Sequence, residues 1–265
     1  MNDRLAIDIV DGVADVRLNR ADKMNALDPL MFEALVGACD RLGKEKGLRA
    51  VVLSGEGRAF CAGLDMNRFA AMKEGGGVGN IEDRTHGISN AFQYAVVGWR
   101  ELAVPVIAAV HGVAFGGGFQ LALAADIRYV AEDTRMSIME IKWGLVPDMG
   151  GTILMRNLAR EDVVRELTYT GRVFSAAEAQ AYGFATRVCA DPRADALALA
   201  RDIASKSPHA IRGAKRLFNL AAAEDEAACL LAESREQAKL IASPNQVEAV
   251  MANLEKRAPR FAEAG

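Results

Sequence analysis

One stretch, AVPVIAAVHGVAFGGGFQLALAAD (Ala103–Asp126), limits the folds open to this chain more than any other. Its first part is a continuous apolar run of Val104, Val106, Ile107 and Val110, which predicts a strand buried on both faces. The strand ends at Gly112 and at Gly116-Gly117-Gly118, then passes into an alanine-rich segment that favours helix. A strand that feeds a helix through glycines belongs in an α/β fold and leaves free N–H groups at the positive end of the helix dipole. Such a turn suits an oxyanion, a phosphate or a carboxylate. Gln120 is the one polar side chain in the helical turn that follows. The uncharged run Leu102–Ala125 is long enough to span a membrane, but Pro105, His111, Gln120 and the glycines make it the buried centre of a soluble fold instead.

A second stretch follows the same plan. The apolar run Arg49–Ser54 leads into a glycine-rich turn, GEGRAFCAGLD (Gly55–Asp65), and then into a short helix predicted over Met66–Met72. If the two strands are parallel neighbours, both turns open at one carboxyl edge of the sheet, where α/β folds bind ligands. On spacing alone these glycines read first as residues that simply allow tight turns.

Around these stretches the chain reads as alternating strands and helices. Leu5–Val10 and Val13–Leu18 form a hairpin through Asp11-Gly12, and Asp28 with Pro29 opens a helix to about Leu42. Gly75–Gly79 is a flexible loop that suits a lid. The spacing of Ile88, Phe92, Ala95 and Trp99 predicts a helix over Glu82–Glu101. Ile127–Val130 and Arg187–Cys189 are strands, and Ser137–Thr152 is a loop region carrying Glu140 and Asp148. Ile153–Leu158 and Glu161–Tyr169 are helices, and Ser175 with Glu178 forms a capping box. From Arg193 the chain is helical, with breaks at Pro208, Pro244 and Pro259. Residues 1–192 therefore form a core domain and 193–265 a C-terminal helical region suited to oligomerisation, in which Leu230, Leu231 and Leu240 could pack between subunits.

Several function classes lack support. With 32 basic and 35 acidic residues the formal net charge is −3, which leaves no electrostatic footprint for nucleic acid or an anionic membrane. The four cysteines form no CxxC pair, which argues against a zinc site and fits reduced thiols in a cytoplasm. The N-terminus has no signal-peptide pattern, so the location expected is cytoplasmic. No GxSxG, P-loop or Rossmann fingerprint is present. His111, at the end of the central strand, reads as a packed polar group. Arg212, Lys215 and Arg216 share one helix face, either solvated or able to reach a phosphate.

Five segments together carry a resemblance. FCAGLD (Phe60–Asp65), HGVAFGGGFQLALAAD (His111–Asp126) and MEIKWGLVPDMGG (Met139–Gly151) resemble the signature stretches of the crotonase, or enoyl-CoA hydratase/isomerase, superfamily. LNRADKMNAL (Leu18–Leu27) resembles its N-terminal element, with Ala21 where proline is usual, and TGRVFSAAEAQAYGFATRV (Thr170–Val188) a later one. The ending KRAPRF (Lys256–Phe261) is similar too. The resemblance implies an α/β spiral of ββα units with a C-terminal helical region, assembled as a homotrimer or dimer of trimers. It implies an acyl-CoA thioester as substrate and no cofactor, since coenzyme A is part of that substrate. The N–H groups of Leu64 and Gly117 would polarise the thioester carbonyl and hold the enolate. Met24, Ala26, Ala62, Asp65 and Met66 match positions that line coenzyme A, and Lys23 is a candidate phosphate contact.

The acids decide the reaction. Hydratases that this chain resembles carry two glutamates; Glu140 matches the second, but Gln120 stands at the first. A glutamine cannot exchange protons near neutral pH, although it can hold a water. One working carboxylate suits a double-bond shift, in which it removes a proton from one carbon and returns it to another. Asp148 matches a second acid of dienoyl-CoA isomerases, which carry aspartate where this chain has Gln120. The reading is therefore an enoyl-CoA isomerase, with hydration, another thioester chemistry or a non-catalytic CoA-binding scaffold as alternatives. Apolar neighbours Ile138, Met139, Ile141 and Trp143 would dehydrate Glu140 and make it a stronger base.

Overall fold

In the computed structural model, which describes residues 3–65 and 80–264, the chain winds as a spiral through two sheets. Strands β1 (Leu5–Val10) and β2 (Val13–Leu18) form the expected hairpin. Asp11 and Gly12 both adopt positive φ, as a two-residue turn with the right twist requires. Next come β3 (Ala50–Gly55) and β4 (Val106–Val110), after which β5 (Val113–Phe115) leaves for a second sheet. The chain returns as β6 (Ile127–Ala131), and β7 (Arg135–Ser137) and β8 (Phe174–Ser175) then join β5. Finally β9 (Arg187–Cys189) completes the first sheet, in the order β1-β2-β3-β4-β6-β9, parallel throughout beyond the hairpin.

Burial on both faces explains why β3 and β4 read as unbroken apolar runs. Val51, Leu53, Val106, Ala108 and Val110 face the main core, against helices α1 (Pro29–Leu42) and α2 (Ala91–Glu101). Their neighbours Ala50, Val52, Ile107 and Ala109 face the other way, onto Ala196 and Ala200. Helices α3 (Gly117–Leu123), α4 (Gly151–Met155), α5 (Glu161–Thr170) and α6 (Ala176–Tyr182) fill the turns of the spiral. Then α7 (Pro192–Ala204) lays those two alanines on the sheet, and α8 (Pro208–Ala221), α9 (Glu226–Leu240) and α10 (Pro244–Leu254) complete the helical region. Pro208 and Pro244 each take the first helical position, where a missing N–H costs nothing. No helix among the described residues is long and apolar enough to cross a membrane.

Three expectations need correction. The helix predicted over Glu82–Glu101 begins only at Ala91, because Asn90 and Gln93 close a capping box there. Residues 80–89 are turns, braced by Arg84, which donates to the carbonyls of Ile81 and Glu82 and to Gln93. The basic face of α8 is not solvated as a set: Lys215 is buried, and its Nζ donates to the Val104 carbonyl and to Asp126 Oδ2, each at 2.8 Å. Arg216 pairs with Glu236, and Arg212 donates to the carbonyls of Leu48 and Ala264. Lastly, Ser137–Thr152 is not all loop: Ser137 ends β7, Glu140–Trp143 is a 3-10 turn, and α4 begins at Gly151. The predicted helix Met66–Met72 and the loop Gly75–Gly79 lie outside the described residues.

Candidate active site

Strands β3 and β4 are parallel neighbours, with Val51 opposite Val106 and Leu53 opposite Ala108, so both glycine-rich turns open at one carboxyl edge. Beyond that edge the two turns keep pairing. The Phe60 and Cys61 amides donate to the carbonyls of His111 and Val113, and the Phe115 amide donates to that of Cys61. Gly63 sits at φ 87°, and a Cβ there would stand 2.6 Å from the Phe115 carbonyl oxygen and 3.7 Å from the Gly117 nitrogen. Only glycine permits so close an approach. Leu64 and Gly117 are thereby brought side by side.

Among the described residues their N–H groups are both available. Leu27 and Leu64 form a parallel β-bridge, in which the Leu27 amide donates to the Gly63 carbonyl and the Asp65 amide to that of Leu27. The bridge thus uses the residues flanking Leu64 and turns its own N–H away. Gly117 is the first residue of α3, where an N–H has no intrahelical acceptor. Among the described residues neither amide has an acceptor, and both residues are only half-buried.

The N-terminal loop holds this edge in place. Met24 and Asn25 are in the left-handed region, and the Met24 carbonyl accepts from the Ala62 amide. The wholly buried Asn25 side chain donates to the carbonyls of Glu56 and Ala59 and accepts from the Arg20 amide. Arg20 reaches Asp65 at 2.5 Å, and both side chains are largely buried. Asp65 therefore acts through this ion pair, while Met24, Ala26 and Ala62 line the same edge by their backbone. Lys23 is exposed on the 3-10 turn Ala21–Lys23 and has no ion pair among the described residues. Met66 lies outside the described residues. His111 packs as expected, with Nε2 3.0 Å from the Gly57 carbonyl. Cys61 is buried beneath the turn, and burial pushes its thiol up to about 12, which makes it inert.

Across the opening stands Glu140. It lies on the 3-10 turn Glu140–Trp143, buried, and a Cβ on Gly116 would be 3.4 Å from its Oε1. Gln120 Nε2 donates to that Oε1 at 2.6 Å, while Glu140 Oε2 is buried with no partner among the described residues. Burial pushes the Glu140 carboxyl above its usual range. The Gln120 bond and a bond from its own backbone oppose this, and the Asp148 charge adds to it. Asp148 keeps exposed surface, yet the surrounding chain shields it enough to raise its carboxyl as well. The geometry thus joins two N–H donors without acceptors among the described residues, one half-bonded carboxylate and a second acid. Such a set can hold a carbonyl oxygen that is gaining charge while it moves a proton on a neighbouring carbon.

Sequence reasoning found Gln120 and Glu140 but missed what holds them. The Met149 and Gly151 amides both donate to Gln120 Oε1, each at 2.9 Å. Both residues lie in the stretch that carries the resemblance, but nothing in their side chains marks a backbone donor. The buried roles of Arg20 and Asn25 were equally hidden.

Comparisons with known proteins agree on one family. The enoyl-CoA hydratase/isomerase family model matches residues 8–264. Mouse mitochondrial Delta(3,5)-Delta(2,4)-dienoyl-CoA isomerase is 36% identical over 210 residues, covering 77% of this chain and 64% of that protein. The chain thus spans under two thirds of that relative's length. Mouse mitochondrial methylglutaconyl-CoA hydratase is 32% identical over 260 residues, covering 94% of this chain and 79% of that protein. The structure of an enoyl-CoA hydratase from Bacillus anthracis superposes with a TM-score of 0.89 at 31% identity, covering 97% of this chain and 98% of that one.

Proposed function

The chain belongs to the enoyl-CoA hydratase/isomerase family, within the crotonase superfamily of enzymes, and on that premise we propose that it moves a carbon–carbon double bond in an unsaturated acyl-CoA. The observation that carries the choice is the 2.6 Å bond from Gln120 to Glu140. It puts an amide that cannot ionise where a second acid would stand, and leaves one carboxylate beside the two free amides.

In this reading the N–H groups of Leu64 and Gly117 form an oxyanion hole. They hold the thioester oxygen as Glu140 takes a proton from the carbon next to the carbonyl. The electron pair of that C–H bond passes into an extended enolate, and Glu140 returns the proton farther along the chain. Each donor is worth about 3–4 kcal/mol of transition-state stabilisation. Burial suits Glu140 to the task, because a poorly hydrated carboxylate is a stronger base. In the same reading Asp148 serves a longer, dienoyl substrate as the second acid. Lys23 is exposed beside the edge that would take coenzyme A, and the adenosine phosphates are its natural partners. The C-terminal helices leave Phe218, Leu230, Ile241 and Leu254 exposed, which suits packing between copies in a homotrimer or a dimer of trimers.

Hydration is the second reading, favoured by the methylglutaconyl-CoA hydratase that the chain is similar to. Gln120 supports it poorly, because its oxygen is taken by two backbone amides and one N–H by Glu140. A single N–H remains for a water. The test offers the purified protein 2-enoyl-, 3-enoyl- and 3,5-dienoyl-CoA and follows absorbance. Isomerisation of the 3-enoyl or the 3,5-dienoyl thioester at ten times the hydration rate or more is the expected result. Rapid hydration of the 2-enoyl thioester without isomerisation of the others would exclude the isomerase reading.

A further inference from the structure

Gln120 does more than withhold a second acid. Its carbonyl oxygen accepts from the amides of Met149 and Gly151, at the start of α4, so both lone pairs are used. Turning the side chain amide over would aim its oxygen at the Glu140 carboxylate and its NH2 group at two N–H donors. All three contacts would become repulsive. The amide therefore has one fixed hand, with Nε2 toward Glu140 Oε1. The packing keeps the amide in this seat, since a Cβ on Gly151 would stand 2.6 Å from the Gln120 oxygen.

The N–H that Glu140 Oε1 accepts occupies one of its lone pairs and makes it the weaker base of the two oxygens, so the proton goes to Oε2. Glu140 Oε2 is buried and has no partner among the described residues. We propose that Gln120 is a positioning residue that locks Glu140 so that Oε2 alone takes the substrate proton and returns it. This rests on the reading of Glu140 as the base. In each cycle a C–H bond breaks as Oε2–H forms and the electron pair enters the enolate; Oε2–H then breaks as a new C–H bond forms. One oxygen on a fixed turn confines both transfers to one face of the substrate.

Few other charges bear on Glu140. Asp148 faces it, and Lys142 on the same turn lies over the Trp143 ring, 5.4 Å from its centroid. Helix α5 packs against that turn and carries Glu161, Asp162, Arg165 and Glu166, whose charges are matched in pairs: Glu161 with Arg165, Asp162 with Arg160 and Glu166 with Arg172.

The test reads Glu140 directly, without a substrate. Protein labelled with 13C at the glutamate carboxyls is titrated by NMR, with Glu140→Gln assigning the signal. Gln120→Met keeps the volume and removes the donor. Gly151→Ala pushes the amide off its seat without touching Glu140, and covers the case in which Gln120→Met fails to fold. Either variant should move the Glu140 titration up by about one to two pH units, and the acidic limb of kcat with it, while KM stays within about twofold. An unchanged titration in a folded variant, with Glu140→Gln inactive, would overturn the lock and leave the base assignment standing. Full activity in Glu140→Gln would overturn both.

Discussion

Leu27 and Leu64 pair across a parallel bridge in which Leu27 bonds to Gly63 and Asp65, the residues flanking Leu64, so the Leu64 N–H is turned away from Leu27 and stays without an acceptor among the described residues. That relationship makes a backbone donor testable. Leu64→Pro removes the N–H and breaks no ladder bond, and Gly63 before it tolerates the restriction that proline imposes. The expected result is a fall in kcat of about 10²–10³-fold, with a folded protein by circular dichroism. Activity near the wild-type level would remove this amide from the mechanism.

Glu140→Gln should lower kcat by about 10²–10⁴-fold with little change in KM, because an isosteric amide still fits but cannot take a proton. Stability should move the other way. Burial raises the Glu140 carboxyl in the folded state. Its favourable contribution is therefore full below the unfolded value and lost as pH rises through the folded one. At neutral pH the ionised carboxylate costs stability, so Glu140→Gln should raise Tm there. The gain should shrink as pH falls toward the ordinary glutamate range. Thermal unfolding of both proteins across pH checks this, and a lower Tm for the variant at neutral pH would contradict it.

Most of the scaffold could be read in the chain because its signals are local. Asp11-Gly12, Asp28-Pro29 and Ser175 with Glu178 each specify their own turn or cap, and the structure forms all three. The two-faced burial of β3 and β4 follows from the unbroken apolar runs Ala50–Leu53 and Val106–Val110. Strands β5, β7 and β8 were not visible, since two or three residues cannot display a period and are fixed by their partners instead. The same limit applied at the site. Gln120 and Glu140 stood out as polar groups in apolar surroundings, but the amides of Met149 and Gly151 belong to the backbone, and no side chain announces them.

Asp65→Ala leaves Arg20 largely buried without its nearest partner, 2.5 Å away, although Asp28 remains at 3.5 Å. Breaking a buried pair costs about 3–5 kcal/mol, and the residual Asp28 contact places this case at the lower end. A shift of the denaturation midpoint measures the loss. Because the pair holds the edge that carries Leu64, KM for an acyl-CoA should rise as well. An unchanged midpoint would show that the pair does not hold the edge.

Asp148→Asn separates the two acids. Its effect should fall on 3,5-dienoyl-CoA, with kcat down at least tenfold, while turnover of 3-enoyl-CoA stays within about threefold. Equal losses on both substrates would show that Asp148 supports the site as a whole rather than a distal proton transfer.

The most direct measurement is the mass of the product. Wild-type protein and Glu140→Gln are incubated with 3-enoyl-CoA and, separately, with 2-enoyl-CoA, and the products are weighed by mass spectrometry. One carboxylate beside a non-ionisable Gln120 predicts that the wild-type protein converts 3-enoyl-CoA to a conjugated product of unchanged mass, that Glu140→Gln does not, and that 2-enoyl-CoA gains little water. A rapid gain of one water on 2-enoyl-CoA, with 3-enoyl-CoA left untouched, would contradict the account.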